Sequence, residues 1–465
     1  MTSSTFSSLP LSPALLENLE RLEYRSMTPI QAQSLPLILQ GKDVIAQGKT
    51  GSGKTAAFGL GILHTLKQAW FGTQALVLCP TRELAEQVAT ELRRLARAAD
   101  NIKILTLCGG APIRPQIESL QHGAHIIVAT PGRLLDHIER ASVDLSGLKT
   151  LVLDEADRMV DMGFYDDLVT IVKACPIRRQ TLLFSATYPD NIRKASARFL
   201  NRPVEVRLES VHDGSQIEQF FYEINPAYRN AAVAKLLEHF RPTSTLAFCN
   251  TKAQVRELVV DLRERGFSAL ALHGDLEQRE REDVLVQFTN QSCSVLVATD
   301  VAARGLDIQT LDAVINVDIT PDAEVHIHRI GRTGRNDAKG LALSLVAPAE
   351  MRWAALIEAY QGKPIVWSKL DKLKPTGEGP VQAPMVTLCI QGGKKDKLRP
   401  GDLVGALTKD AGFAFEQIGK ITVFEFVTFV ALNRHIANDV FDKLSEGTIK
   451  GRRFRMRFMH NDLYL

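Results

Sequence analysis

Two series of short, unbroken apolar and β-branched runs constrain this chain more than any other feature of its sequence. The first series is Asp43–Ala46, Ala75–Cys79, Ile102–Leu107, Ile126–Ala129, Leu151–Leu153 and Thr181–Phe184. The second is Thr245–Phe248, Ala269–Leu272, Val295–Ala298, Ala313–Val317 and Leu341–Val346. Segments of helical periodicity separate them. Runs that are apolar at every position, rather than at every second one, belong to strands buried on both faces, the pattern of a parallel sheet covered by helices. The expected fold class is therefore α/β, with two such domains in tandem. At 465 residues there is room for both and for a third, smaller unit.

The divisions follow from composition. Glu209–Gln216 (ESVHDGSQ) is a polar connector, and Leu370–Pro384 (LDKLKPTGEGPVQAP) is a Gly/Pro-containing linker. The expected domains are residues 1–207 and 208–368, a linker at 369–384, and a small domain at 385–465. The last has the order β-α-β-β-α-β. Its strands are Val386–Gln391, Lys420–Phe424, Phe426–Leu432 and Arg453–Phe458. One helix starts at Pro400 and another runs over Ile436–Leu444. That order suits a ferredoxin-like α+β sheet.

Charge is uneven. Residues 385–465 carry 13 Lys/Arg against 9 Asp/Glu, a net of +4, whereas the first 384 residues sum to −1. The basic excess points to a polyanion partner for the tail. No apolar run approaches 18 residues, so no membrane span is expected, and Met1–Pro10 lacks the charge and apolar core of a signal peptide. The six cysteines form no CxxC pair and lie mostly in or beside apolar runs, as reduced residues of a cytosolic protein do.

Gly48–Thr55 (GKTGSGKT) satisfies GxxxxGK[ST] between a strand and a helical segment, the context that makes a phosphate-binding loop. Gly51, Ser52 and Gly53 let backbone N–H groups face phosphates, Lys54 reaches the β/γ-phosphates, and the Thr55 hydroxyl suits Mg²⁺. A hundred residues on, the strand Leu151–Leu153 ends in Asp154-Glu155-Ala156-Asp157. Acids at the carboxyl end of a parallel strand point into the ligand crevice. Asp154 is placed to hold Mg²⁺, and Glu155 to orient and deprotonate an attacking water. The segment His328–Arg335 (HRIGRTGR) holds three arginines and two glycines and makes a good anion loop.

These motifs together resemble the DEAD-box ATP-dependent RNA helicases of superfamily 2. The likeness covers about residues 6–365. Thr28-Pro29-Ile30-Gln31 looks like the Q motif, with Phe6 as its upstream aromatic. Pro80–Leu84 spells PTREL, Asp154–Asp157 spells DEAD, and Ser185-Ala186-Thr187 spells SAT. Gly109-Gly110, Thr130–Arg133, Phe248–Thr251, Ala298–Ile308 and His328–Arg335 follow in family order. The resemblance implies two RecA-like domains, ATP and Mg²⁺ as cofactors, and an RNA-stimulated ATPase that locally separates short duplexes. It implies that Gln31 reads adenine, Phe6 stacks on it, and Asp307 accepts from the ribose. Arg332 and Arg335 become γ-phosphate fingers, and His328, Ser185 and Thr187 couple ATP to RNA. Arg82, Gly110, Thr130, Arg133, Asn250, Arg279 and Thr299 become contacts to the RNA backbone, indifferent to base sequence. Two departures from the family pattern are Gly48-Lys49 in the phosphate loop and Glu23 where a glycine is usual.

The tail resembles the C-terminal RNA-recognition domain of the bacterial DbpA subgroup of these helicases, through Ile390–Asp402 and Ile418–Lys420. That implies a partner in 23S ribosomal RNA, a hairpin near the peptidyl-transferase centre, and pre-50S particles. Lys394, Lys395, Lys397 and Arg399 are its candidate RNA contacts. Such a fold normally stacks bases on strand aromatics, but Val386–Gln391 has none, and Phe429 suits the core as well as a stacking platform. No oligomerisation element is visible, so a monomer is expected. The alternative function is an ATP-gated RNA clamp with little unwinding role; a DNA translocase is a weaker third.

Overall fold

The computed structural model describes residues 5–48, 52–185, 198–207, 217–303, 311–334 and 340–459. The connector at Glu209–Gln216 lies wholly outside them. The chain divides into two compact units, residues 1–212 and 213–465.

The first unit holds one seven-stranded sheet. Its strands are β1 (Val44–Gln47), β2 (Ala75–Leu78), β3 (Ile104–Leu107), β4 (Ile126–Ala129), β5 (Thr150–Asp154), β6 (Gln180–Ser185) and β7 (Val204–Arg207). They lie in the order β3-β4-β2-β5-β6-β1-β7, and every described pair is parallel. The six expected runs are the first six strands. Helices cover both faces, and the two faces feed two separate apolar clusters. Val44, Val77, Val128, Val152 and Leu182 look one way, and Ile45, Leu76, Ile127, Leu151 and Leu183 the other. That alternation of burial, inside a run apolar at every position, is what a two-sided core demands.

The second unit repeats the plan. It contains β8 (Ile217–Glu223), β9 (Thr245–Cys249), β10 (Ala269–Leu272), β11 (Val295–Thr299), β12 (Ala313–Asn316), β13 (Gly340–Val346) and β14 (Trp367–Ser368), in the order β10-β11-β9-β12-β13-β8-β14. Strands β7, β8 and β14 lie at or next to sheet edges and are less completely buried, so they lack the unbroken apolar signature of the others.

The same unit carries the tail as a four-stranded antiparallel sheet. β15 (Met385–Ile390), β16 (Ile418–Val423), β17 (Thr428–Asn433) and β18 (Met456–Phe458) lie in the order β16-β17-β15-β18. Helices at Pro400–Gly405 and Ala437–Glu446 pack one sheet face through Leu388, Ile390, Val430, Leu432, Leu403 and Val440. The opposite face, normally open in such modules, is closed. The helix Gln278–Thr289 and the turn after it lie against it. Asn290 Nδ2 donates to Thr387 Oγ1 at 3.1 Å, Ser292 and Thr387 share a 2.6 Å hydroxyl bond, and Val286 packs with Cys389, Phe429 and Met459. The segment 369–384 is tied down as well. Leu373 is buried in the neighbouring core, Thr376 Oγ1 donates to His239 O, and Arg241 donates to Gly379 O.

Candidate functional site

Sheet order explains why motifs a hundred residues apart meet. β5, β6 and β1 are neighbours, so the loop after β1, the acids after β5 and the serine ending β6 share one stretch of the carboxyl edge. The backbone seals this arrangement: Gly48 N–H donates to Ser185 O at 3.0 Å. Gly53 sits at φ +91°, and a Cβ there would come within 2.5 Å of Gln31 Nε2, so a larger residue would be strained and would push the Gln31 amide aside. Lys54 opens the helix Lys54–Thr65; its buried ammonium donates to Gly48 O at 2.8 Å. Thr55 follows in the first turn. Thr28 and Gln31 form a capping box at the helix Pro29–Leu39, which fixes the glutamine and leaves Nε2 to donate to Gly53 O. Phe6 is buried, edge-on to Tyr24 with ring centroids 6.1 Å apart.

The acids are unlike one another. Asp154 is buried, and its Oδ1 has no hydrogen-bond partner among the described residues. Burial pushes its carboxyl up to about 7, against the opposing pull of Lys54. A buried carboxylate oxygen left orphaned beside the phosphate-loop lysine fits a divalent cation, with Thr55 as second donor. Glu155 stands at φ +54°, a left-handed conformation that a non-glycine residue holds only where the surroundings enforce it. Its Oε2 accepts from Arg158 Nη1 at 2.5 Å. Ser185 Oγ accepts from Asp157 N–H at 3.3 Å, joining the SAT serine to the DEAD turn.

The rest of that sheet edge collects the expected RNA residues of the first unit. Arg82, Gly110, Thr130 and Arg133 follow β2, β3 and β4, which are adjacent. Arg82 lies against Gly110, where a Cβ would meet its guanidinium, and Arg133 donates twice to Ala111 O at 3.0 Å. One half of the edge therefore carries phosphate-loop chemistry and the other half a cationic track.

In the second unit Asn250 and Thr299 lie at the ends of β9 and β11, with Arg329 between them. Arg329 is 1% exposed. It donates to both oxygens of Asp300 at 2.7 and 2.6 Å, to Asn250 Oδ1 at 3.0 Å and to Asp318 O at 2.6 Å, and lies 5.1 Å from the Phe248 ring centroid. His328 and Arg332 flank it in sequence; Arg332 is buried. Arg279 lies in the first turn of the helix Gln278–Thr289. Arg281, two residues further along that helix, donates to Ala302 O at 2.8 Å. Two residues on a helix turn a side chain by about 200°, so the two arginines leave it on different faces. Gly51, Thr187, Asp307 and Arg335 lie outside the described residues.

In the tail, Lys394, Lys395, Lys397 and Arg399 are all exposed. Their loop is held by Lys394 N–H to Phe424 O and Lys395 N–H to Glu425 O, at 2.9 and 3.0 Å. Phe429 is 3% exposed, edge-on to Phe424 at 5.7 Å, and belongs to the core; Phe426, at 65%, stands in solvent beside the basic loop.

Three family models match this chain: DEAD/DEAH box helicase over residues 28–195, Helicase conserved C-terminal domain over 228–337, and DbpA RNA binding domain over 387–458. The ATP-dependent RNA helicase DbpA of Escherichia coli K12 is 51% identical over 98% of this chain and 99% of its own length. The helicase CshA of Listeria monocytogenes is 45% identical over 76% of this chain and 68% of its own. Among solved structures, S. cerevisiae Dbp5 bound to RNA and ADP BeF3 matches with TM-score 0.73 at 31% identity, over 79% of this chain and 96% of that one. Mss116p bound to single-stranded RNA and AMP-PNP matches at 0.70 and 27%, over 79% and 80%. The two parallel sheets are accordingly RecA-like, and the phosphate loop is that of an ATPase. The chain belongs to the DEAD-box ATP-dependent RNA helicases, among those that carry a DbpA-type RNA-binding domain at the C-terminus.

Proposed function

We propose that this helicase opens short duplexes near one site of 23S ribosomal RNA during assembly of the large ribosomal subunit, acting as a monomer on pre-50S particles in the cytoplasm. The observation that carries this is the likeness to E. coli DbpA, which runs through the tail as well as the motor. The working division is a first lobe at 1–207, a second at 208–368, a linker at 369–384 and an address domain at 385–465. Lys394, Lys395, Lys397 and Arg399 supply phosphate contacts that a bound hairpin would use, and these are sensitive to salt.

In the motor, Gln31 recognises the adenine edge and Phe6 closes on the base. Asp307 accepts from the ribose. Lys54 exchanges the Gly48 carbonyl for the β- and γ-phosphates, with Ser52, Gly53 and the neighbouring Gly51 lending backbone N–H groups. Asp154 and Thr55 are the residues that would hold Mg²⁺, which when bound neutralises charge on the β- and γ-oxygens. Glu155 takes a proton from the water that attacks the γ-phosphorus as the bond to ADP breaks. Arg332 and Arg335 offset the charge that develops there, and His328, Ser185 and Thr187 relay RNA occupancy. Arg82, Gly110, Thr130, Arg133, Asn250 and Thr299 hold the sugar-phosphate backbone.

Three experiments test this. Lys54→Ala and Glu155→Gln should each abolish RNA-stimulated phosphate release; normal turnover by either variant refutes the site. Changing Lys394, Lys395, Lys397 and Arg399 together to Gln should leave the motor active but stimulated equally by a 23S fragment and by unrelated RNA. A retained preference for the 23S fragment refutes the basic loop as the address. Strand separation with and without hydrolysable ATP distinguishes a helicase from a clamp.

A further inference from the structure

The contact between Glu155 and Arg158 has no counterpart among the groups that phosphoryl transfer requires. Both side chains are buried, at 6% and 10% exposure, and Arg158 Nη1 stands 2.5 Å from Glu155 Oε2. The geometry arises locally. Glu155 takes φ +54° as the residue before the helix Ala156–Asp161, which turns its carboxylate onto the residue three positions on.

A general base must offer a lone pair to the water it deprotonates, within about 3 Å. A carboxylate oxygen committed to a buried guanidinium offers one lone pair fewer and is a weaker base, and charge-assisted bonds of this kind are among the strongest a side chain makes. We propose that Arg158 is a positioning residue that latches the Glu155 carboxylate and damps its basicity until RNA binds, so that full hydrolysis waits on the release of this ion pair. The proposal rests on Glu155 being the base.

The release has a route within the first lobe. Arg158 N–H donates to Asp157 Oδ1 at 3.0 Å, and Asp157 N–H donates to Ser185 Oγ. Ser185 O in turn accepts from Gly48 N–H at the mouth of the phosphate loop. A shift of the end of β6 or of the phosphate loop displaces the turn on which Arg158 stands, and with it the latch.

The test is steady-state ATP turnover by the full chain, with and without saturating RNA. Arg158→Met keeps the aliphatic stem in place and removes the charge; Arg158→Ala is the second variant should Met pack poorly. Turnover without RNA should rise about tenfold, the value of one charge-assisted bond. KM for ATP and RNA-saturated kcat should stay within about twofold, so that the stimulation ratio collapses. Arg158→Lys, which restores a cation, should recover most of the ratio. RNA-free turnover at or below the wild-type level in both neutral variants overturns the latch. A loss of RNA-saturated kcat with KM unchanged also overturns it, because Arg158 would then assist the base. The double variant Arg158→Met, Glu155→Gln should be inactive. Activity there would refute Glu155 as base, independently of the latch.

Discussion

The side-chain amide of Gln31 donates through Nε2 to the carbonyl of Gly53, 3.0 Å away across 22 residues of sequence. Its Oε1 accepts from Thr28 N–H at 2.9 Å, so the capping box that starts one helix orients an amide onto the phosphate loop that starts another. The proposed adenine-reading amide and the phosphate loop are thereby one piece of structure. Gln31→Ala should raise KM for ATP about tenfold, the worth of one buried hydrogen bond, and should blur the choice between ATP and GTP. Steady-state kinetics with both nucleotides check this; an unchanged KM for ATP would sink it.

Glu23 stands at φ +62° just past the helix Pro13–Arg21, and Tyr24 N–H reaches back to Leu19 O at 2.9 Å. That closure favours glycine, which is why the family pattern has one there and why this chain's departure carries strain. A left-handed non-glycine residue costs about 1 kcal/mol. Glu23→Gly should therefore stabilise the first lobe by up to about that amount, visible as a higher urea midpoint at unchanged m-value, with ATP turnover unaffected.

Much of this was legible in the sequence. Apolar runs buried on both faces can be read residue by residue, so eleven of the fourteen strands of the two parallel sheets were found; β7, β8 and β14 were missed because partial burial breaks the run. Motif residues were legible because phosphate chemistry fixes their type and spacing. What local pattern cannot carry is a contact made by distant segments. Nothing near Phe429 announces that Val286 covers it, nor near Thr387 that Asn290 and Ser292 bond to it. The left-handed turn at Glu155 and its pairing with Arg158 are likewise invisible until the strand, turn and helix are assembled.

Arg329 ties β9, β11 and the helix Ala323–Ile330 together by bonding Asn250, Asp300 and the carbonyl of Asp318 at once. Lysine cannot reproduce that fork. Arg329→Lys should destabilise the second lobe by about 3 kcal/mol, because a largely buried carboxylate loses its bidentate partner. RNA affinity should weaken as Asn250 loses its support. Asp300→Asn, which keeps one acceptor, should be milder. Urea unfolding and RNA titration in the absence of nucleotide measure both effects.

The two tail phenylalanines should separate cleanly. Phe429 fills a seam with Val286, Cys389 and Met459, whereas Phe426 touches solvent over most of its surface. Phe429→Ala should cost about 3 kcal/mol or more through the cavity it leaves. Phe426→Ala should fall within about 0.5 kcal/mol of wild type. Chemical unfolding followed by a probe in the tail decides; equal losses would place Phe429 outside the core.

His326 sets a pH dependence in the second lobe. Its ring packs 5.7 Å from Phe221, neither ring nitrogen has a partner among the described residues, and burial, helped by the charge of Arg329, pushes its pKa down to about 3. Unfolded, the same imidazole titrates near 6.5. Between those values the unfolded chain binds the proton and the native chain does not, so stability falls as pH falls. The contribution is fully present above about 6.5 and is lost progressively toward 3, at about 1.4 kcal/mol per pH unit. Going from pH 7.5 to 5, wild type should lose about 2 kcal/mol that His326→Leu does not lose. Urea unfolding of both proteins at pH 7.5, 6 and 5 tests this, and parallel curves would show that His326 is protonated as readily folded as unfolded.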